Sequence, residues 1–293
     1  MNRLLVVVFF SGFLLPACVT DITVTLPDPR PMIVVEGYIE QDTIPYVILS
    51  RNAPYFGKFS LNDLSTYLVH DALVVVSDGS VYDTLPEVCI TINNGDRIFE
   101  ACAYGHLLNP SNARITGALN KTYSLYVEVD DTILTATTTI PDLYPLDSLW
   151  WQPHSNPDND TLVSLIARIR DPGDEVNYSR VFSKRNSEPF YQIFVTDDRF
   201  YNGQTFSIPL QRGQDPDDDF DLVTSGYFWR GDTVIIKWAA IDKAHYDFWN
   251  TLDAEMNSGG PFSSGTVIKG NIQGGLGIWG GSAVFYDTLY IPQ

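Results

Sequence analysis

Short alternations of apolar and polar residues constrain the fold of this chain more than any other feature. Residues 123–129 alternate with a period of two, and residues 133–140 repeat the pattern after the Asp130-Asp131 turn. A period of two places side chains alternately on the two faces of a β-strand. Similar segments separated by turn residues are 33–39, 46–50, 72–79, 162–169, 178–184, 190–196, 206–210 and 234–241. The sequence therefore predicts an all-β protein with a sandwich-like architecture.

Two features divide this pattern. The segment 141–145 begins and ends with proline and interrupts the strands. We therefore predict two β-sandwich-like domains, an N-terminal domain of immunoglobulin-like or similar type over residues 32–141 and a C-terminal domain over residues 146–293. Apolar residues at helical spacing predict one helix over residues 242–256, with Asp242 as its N-cap.

The N-terminus has the pattern of an export signal. Residues 4–15 form an apolar run after Arg3, which suits a signal-peptide core but is too short to span a bilayer. The run ends with a small residue directly before Cys18, as in a bacterial lipobox, where the cysteine is diacylated. We predict a signal peptide at 1–17 and a lipidated tether at 18–31. The alternative is an ordinary secretory signal with an incidental cysteine.

Cys89 and Cys102 remain once Cys18 is assigned to the anchor. The sequence between them is typical of a β-hairpin, and a loop at 94–97 places the two cysteines opposite each other. An even number of cysteines in an oxidising compartment favours a cross-strand disulfide. Two free buried thiols are the alternative, and two cysteines without nearby histidines are a poor zinc site.

The composition restricts the partners of the chain. Its 36 acidic and 18 basic residues give a net charge of -18, and loss of Arg3 with the signal peptide would make it -19. Nucleic acids and anionic membrane surfaces both bind basic faces, so we expect neither as a partner. At 44% hydrophobic residues the chain is too apolar to be a disordered acidic tail.

Four segments in order carry a family resemblance. They are residues 34–39 with 47–56, the Asp-Asp-Arg-Phe-Tyr-Asn-Gly motif at 197–203, the helical stretch with Tyr246, Phe248 and Trp249, and residues 271–277. Together they resemble the domain-of-unknown-function 4249 family of Bacteroidota lipoproteins over nearly the whole mature chain. The resemblance implies an outer-membrane lipoprotein at the cell surface, often encoded beside a TonB-dependent transporter, with no assigned reaction.

No catalytic motif stands out. The sequence has no Gly-x-Ser-x-Gly elbow and no His-Glu-x-x-His, and its four histidines lack the i, i+4 spacing of a helical zinc site. We interpret His70, His106, His154 and His245 as structural or solvent-facing, with His245 at the rim of the helix's apolar stripe. Carboxylate pairs of the glycosidase kind stay open, because an acidic chain contains many candidates. The sequence favours a protein that is not an enzyme.

The densest acidic cluster is a candidate metal site, formed by Asp215, Asp217, Asp219 and Asp221. The spacing of the first three fits the first three EF-hand ligands. However, a phenylalanine occupies the position that needs glycine, and a glycine the position that needs a bidentate glutamate. One interpretation is an irregular calcium site, and the other is a solvated acidic loop.

Glycines and aromatic residues are the candidate contacts with a partner. The glycine-rich segment 270–281 follows the helix and leads into a strand, unlike a dinucleotide loop, so its glycines indicate close backbone approach. Adjacent aromatic pairs such as Trp150-Trp151 and Phe228-Trp229 suggest an interface or a sugar-stacking platform, or else core packing. The predicted partner-binding residues are Tyr55, Phe56, Gly274, Gly275 and Trp279.

Two functions follow as hypotheses. The first is a non-catalytic outer-membrane lipoprotein at the cell surface, acting as an accessory subunit of a TonB-dependent transporter or another outer-membrane protein. The second is a carbohydrate- or glycoprotein-binding surface module, assisted by calcium. Apart from calcium and the covalent lipid on Cys18, no cofactor is expected.

Overall fold

The computed structural model describes residues 31–53, 65–94, 97–155, 159–173, 175–215, 219, 221–257 and 265–293. The predicted signal peptide, Cys18, Tyr55, Phe56 and Asp217 lie outside the described residues. Residues 31–293 belong to one compact unit. Within its described part, no helix is long and apolar enough to cross a membrane.

The described residues form sixteen strands and one α-helix, which confirms the all-β prediction. The strands are β1 (Ile33–Glu40), β2 (Tyr46–Arg51), β3 (Leu73–Ser77), β4 (Tyr82–Thr84), β5 (Glu87–Asn94), β6 (Arg97–Tyr104), β7 (Lys121–Val129), β8 (Thr132–Ile140), β9 (Ser148–Pro153), β10 (Leu162–Arg170), β11 (Tyr178–Arg185), β12 (Tyr191–Asp197), β13 (Thr205–Leu210), β14 (Phe228–Trp229), β15 (Thr233–Ile241) and β16 (Leu276–Tyr290). The helix α1 is Lys243–Asn257.

These strands form one large sheet and two small ones. The eight-stranded sheet has the order β12-β11-β15-β16-β1-β2-β6-β5. One small sheet has the order β4-β3-β7-β8, and the other has β13-β10-β14 with β9 also paired to β10. In the large sheet β16 pairs in parallel with β1 and antiparallel with β15. The C-terminal strand therefore links strands from both sides of the segment 141–145.

Three hydrophobic clusters lie in the described part of this sandwich-like arrangement, and two of them are large. The first contains the inward side chains of β1, β2, β3, β7 and β8, together with Trp279 from β16. The second contains side chains of β10, β11 and β15, with Phe228 and Leu210. Strict alternation of buried and exposed residues along β7 explains why the sequence pattern predicts this layer. The independence of residues 32–141 and 146–293 as folding domains stays a prediction.

The helix begins at the predicted N-cap. Asp242 Oδ1 accepts the backbone N–H of His245 at 2.8 Å, which is the capping hydrogen bond expected of aspartate. The other oxygen, Oδ2, accepts the hydroxyl of Thr138 at 2.6 Å and so ties the helix to β8. His245 itself is only 2% exposed, so the prediction of a rim residue is wrong. Its ring turns inward because it packs over β16, with Nδ1 3.3 Å from the Gly281 carbonyl oxygen.

Candidate functional site

A concave pocket of about 310 Å³ lies between the eight-stranded sheet and the sheet that contains β10. Its aromatic side chains are Tyr144, Phe194, Tyr201, Phe206 and Trp238. Three carboxyl groups, those of Asp171, Asp197 and Asp198, line the same space, and we call it the acidic pocket. Apolar walls with a few fixed polar groups are the usual construction of a small-molecule site.

Two turns bring Asp171 and Asp198 to this pocket. Asp171 follows β10, and Asp198 follows β12. Gly173 (φ 82°) and Gly203 (φ 74°) have left-handed backbone conformations, which glycine adopts without strain. A Cβ atom on Gly173 would lie 2.7 Å from the Cα atom of Gly203. The turns therefore pack backbone against backbone, and glycine at position 173 permits that approach.

Each of these two carboxyl groups has one oxygen held by N–H donors. Asp171 Oδ2 accepts the backbone N–H groups of Gly173 at 3.1 Å and Gly203 at 2.6 Å. Asp198 Oδ2 accepts the backbone N–H and the side-chain Nδ2 of Asn177, at 3.0 and 3.2 Å. Asp171 and Asp198 are 6% and 5% exposed. Asp198 Oδ1 is buried and has no hydrogen-bond partner among the described residues.

The surroundings of Asp171 favour its neutral form. Burial raises the pKa of Asp171, and the neighbouring Asp198 carboxyl raises it further, although the N–H of Gly203 acts in the opposite direction. Two adjacent buried carboxyl groups resist simultaneous ionisation. Asp171 is therefore suited to hold a proton beside Asp198 or to accept a positively charged group.

Asp197 plays a different part in the same pocket. Its Oδ2 accepts hydrogen bonds from Arg199 Nη2 at 2.6 Å and from the Tyr246 hydroxyl at 2.8 Å. The hydrogen bond from Arg199 is the largest cause that lowers the pKa of Asp197, so its carboxylate is already matched by a guanidinium. Asp197 thus connects β12 to α1, whereas Asp171 and Asp198 face the pocket without a basic partner in its lining.

A second cavity, of about 250 Å³, lies against α1, and we call it the helix cleft. Arg180 stacks on Trp249 with its Cζ atom 3.3 Å from the ring centroid, and its Nε donates to Gln192 Oε1 at 2.5 Å. Lys237 forms an ion pair with Glu40. Both cations of the cleft are therefore engaged by side chains of the protein itself.

The predicted calcium residues do not form a site in the described part of the chain. Asp215 Oδ2 accepts the Tyr191 hydroxyl at 3.0 Å. Asp221 binds its own loop, through the N–H of Val223 and the hydroxyl of Thr224, both at 2.9 Å. Among the described residues, the carboxylate oxygens of Asp215, Asp219 and Asp221 are not grouped closely enough to hold one metal ion together. Calcium binding here stays a prediction.

The disulfide prediction is confirmed. Cys89 and Cys102 are directly opposite each other in the β5–β6 pair and are bonded. The sulfur atoms lie near His70 and Glu87, so that four potential metal-ligand atoms are close together. Sulfur atoms in a disulfide are not thiolates, so this cluster lacks the cysteine ligands that zinc prefers.

Trp279 belongs to the core and is not a contact residue for a partner. Its side chain is completely buried, and Nε1 donates to the Tyr123 carbonyl oxygen at 3.2 Å. The prediction of Trp279 as partner-binding is therefore wrong, because no part of its side chain reaches the surface. Gly274 and Gly275 allow close backbone approach, since added Cβ atoms would lie 2.7 and 2.8 Å from carbonyl oxygens. Their contact with a partner stays a prediction.

Two of the tryptophans proposed for sugar stacking, Trp151 and Trp229, have arginines over their rings. Arg230 lies over Trp151 with Cζ 5.1 Å from the ring centroid. Arg185 and Arg212 approach Trp229 at 4.4 and 5.2 Å. These cation–π contacts occupy the faces that a sugar would need. The rings of the acidic pocket are therefore a better candidate platform than Trp151 or Trp229.

Sequence analysis missed the acidic pocket. Asp171 belongs to no motif of the sequence, and the Asp197-Asp198 pair belongs only to the family motif at 197–203. The available signal was the presence of two aspartates, each followed by a glycine turn, at the ends of two alternating segments.

No curated protein and no solved structure matches the chain. A family model described as "Domain of unknown function (DUF4249)" matches residues 19–287, which is most of the chain. The chain, with its all-β fold and acidic pocket, therefore belongs to the DUF4249 family.

Proposed function

We propose that this protein is a non-catalytic ligand-capture lipoprotein, anchored on the outer face of the bacterial outer membrane as an accessory subunit of a TonB-dependent transporter. The acidic pocket is the observation that carries the proposal. It joins aromatic walls to buried carboxyl groups whose positions are set by backbone contacts. A protein that captures a small ligand needs such a preformed cavity.

The polar groups of the pocket suit binding better than reaction. Its lining contains no histidine, cysteine or lysine among the described residues. The Ser179 hydroxyl is 2.5 Å from the Tyr144 hydroxyl, which is too weak a base to activate a nucleophile. N–H donors fix one oxygen of both Asp171 and Asp198. These features support a site that holds a ligand in a fixed position.

The membrane and transporter parts of the proposal rest on the sequence. The apolar run that ends at Cys18 supports a lipid anchor, and the family resemblance supports a TonB-dependent partner. Two or three acyl chains hold a protein stably on a membrane. The net charge of -18 favours a soluble, mutually repelling body on such an anchor.

Purification from the native membrane tests this proposal. The full chain with a C-terminal affinity tag is expressed in its own host, and the outer membrane is solubilised in a mild detergent. We expect a TonB-dependent transporter to co-purify, and we expect mass spectrometry to find a diacylated Cys18. Cys18→Ala is the matched control and should be lost from the membrane fraction. A lipidated protein that purifies alone would contradict the accessory role.

A carbohydrate-binding module is the second candidate. The observation that favours it is the presence of several aromatic rings and carboxyl groups in one pocket, a combination that also suits sugars. A glycan array with and without a chelator tests this function. Strong binding of a glycan that is lost when the chelator is added would favour the carbohydrate-binding function. An array on which no glycan binds would exclude this function for the glycans displayed.

A further inference from the structure

The acidic pocket restricts the class of ligand that it can bind, and this restriction deepens the proposed capture function. No lysine, arginine or histidine lines the pocket among the described residues, whereas three carboxyl groups do. Arg199 already pairs with Asp197 at 2.6 Å. The remaining negative charge belongs to Asp171 and Asp198. A ligand with a negative charge would meet uncompensated carboxylates in a poorly solvated space, which is strongly unfavourable.

Asp198 carries the most specific part of the argument. Its Oδ2 atom is occupied by Asn177, but its Oδ1 atom is buried and unpartnered among the described residues. A buried polar atom without a partner is destabilising, because it has lost its hydrogen bonds to water and gained none in return. A carboxylate oxygen only accepts hydrogen bonds, so its partner must be a donor: either Asp171 in its protonated form, which lies within hydrogen-bonding reach of Asp198, or a ligand that replaces that proton. Asp171 is its neighbour in the pocket, and a positive charge between the two would also remove their mutual repulsion.

The walls of the pocket favour an organic body over a bare metal ion. The rings of Tyr201 and Phe206 lie 4.1 Å apart, and Phe194 meets Trp238 edge-on at 6.3 Å. Aromatic rings attract cations through the negative charge on their faces. Calcium instead needs about six to eight oxygen ligands. Three carboxyl groups line this pocket, but in the described residues their oxygen atoms are not grouped closely enough to hold one metal ion together.

We infer that the acidic pocket binds an organic cation, with a primary ammonium or guanidinium group between Asp171 and Asp198 and an alkyl or aryl body against the aromatic walls. The carboxylates supply charge and hydrogen-bond acceptors, and the walls supply apolar area. The capture function proposed above then concerns small amines or guanidines.

Calorimetric titration of the full detergent-purified chain tests the inference. The probes are 2-phenylethylammonium, 2-phenylethylguanidinium, the neutral isostere 2-phenylethanol, calcium chloride and methyl glucoside, each also titrated into micelles alone. We expect at least one cationic probe to bind at least about tenfold more tightly than the alcohol, which corresponds to one added charge-assisted contact. This comparison uses the wild-type protein and does not depend on the folding of a variant.

The variant Asp198→Asn adds a second criterion. Its amide oxygen can still accept the Asn177 N–H groups, while its NH₂ group replaces Oδ1 with a donor. Binding of the cationic probe should fall at least about tenfold, with no change for the alcohol. Asp131→Asn is the matched control: it removes the same charge in the exposed turn after β7, and asparagine tolerates the φ of 59° there. The control should bind like the wild type.

The outcomes separate this inference from the proposed function. Equal binding of cation and alcohol, failure of both cationic probes, or unchanged binding by Asp198→Asn would overturn the inference. Calcium or methyl glucoside binding that depends on Asp198 would also overturn it, but would leave ligand capture standing. If a transporter co-purifies with the protein but neither cationic probe binds, the inference of an organic cation is refuted and the proposed accessory role stands.

Discussion

Acidification should destabilise this protein through one buried histidine, His245. The residue is only 2% exposed, and its Nε2 atom has no hydrogen-bond partner among the described residues. Burial lowers the pKa of His245 to about 4, and the nearby positive charges of Arg180 and Lys237 act in the same direction, whereas Asp242 opposes them. The native fold therefore holds the neutral imidazole, with Nδ1 near the Gly281 carbonyl oxygen.

The size of the effect follows from the difference between the folded and unfolded pKa values. The pKa falls from 6.5 to about 4, and each pH unit of difference corresponds to about 1.36 kcal/mol. Because the folded pKa is the lower one, the unfolded chain binds the proton first as the pH falls. The neutral His245 makes its full contribution to the free energy of unfolding above pH 6.5. This contribution declines between pH 6.5 and about pH 4 and is lost below about pH 4. The total loss is roughly 3 kcal/mol.

Urea unfolding of wild type and His245→Gln at several pH values isolates this contribution. The titratable groups other than His245 are common to both proteins, so their pH dependence cancels in the difference. Between about pH 7 and about pH 4, we expect the wild type to lose roughly 3 kcal/mol more than the variant. Glutamine can still donate to the Gly281 carbonyl oxygen, and His70→Gln, at an exposed position, controls for the change of residue type.

Nuclear magnetic resonance titration of the His245 ring gives an independent measurement on the wild type. A ring that titrates near 6.5, or a variant with the same pH dependence as the wild type, would refute the argument from burial.

Two further predictions concern the covalent and backbone contacts of the fold. Replacing Cys89 and Cys102 with serine removes a cross-link between residues 13 apart and should lower the free energy of unfolding by about 3 kcal/mol; an unchanged urea midpoint would contradict this. Gly277→Ala should destabilise far more than Gly79→Ala in thermal unfolding, although both have positive φ, because only the first Cβ meets an atom, the Val35 carbonyl oxygen at 1.9 Å. Equal losses of about 1 kcal/mol would show that φ alone matters.

The strands that could be predicted are those with one buried face. β7 and β8 alternate in sequence and in burial, and the turn between them has two aspartates with positive φ. The disulfide could be predicted for a similar reason, because the local register of the β5–β6 hairpin places its two cysteines opposite each other. In each case, the information lies within a window of about ten to fifteen residues, which is the range over which strand periodicity and turn chemistry act.

The sequence predicts the second half of β16, since residues 282–290 read as a strand, but the first half could not be predicted in the same way because it is buried on both faces. Residues 278–284 are buried without interruption, so the period of two disappears. Its glycines and Trp279 then suggested a surface for a partner. The parallel pairing of Val34 with Leu276 joins distant parts of the chain, and no local pattern encodes it.

The acidic pocket was beyond sequence analysis for a related reason. Asp171 follows a strand of a small sheet, whereas Asp198 follows an edge strand of the large sheet. Their carboxyl groups meet only because the two sheets stack and because Gly173 lets its turn approach Gly203. Each aspartate alone is ordinary turn chemistry. The charge pair that would select a cation is therefore a property of sheet packing, and mutations that loosen this packing should weaken the site even when both aspartates remain.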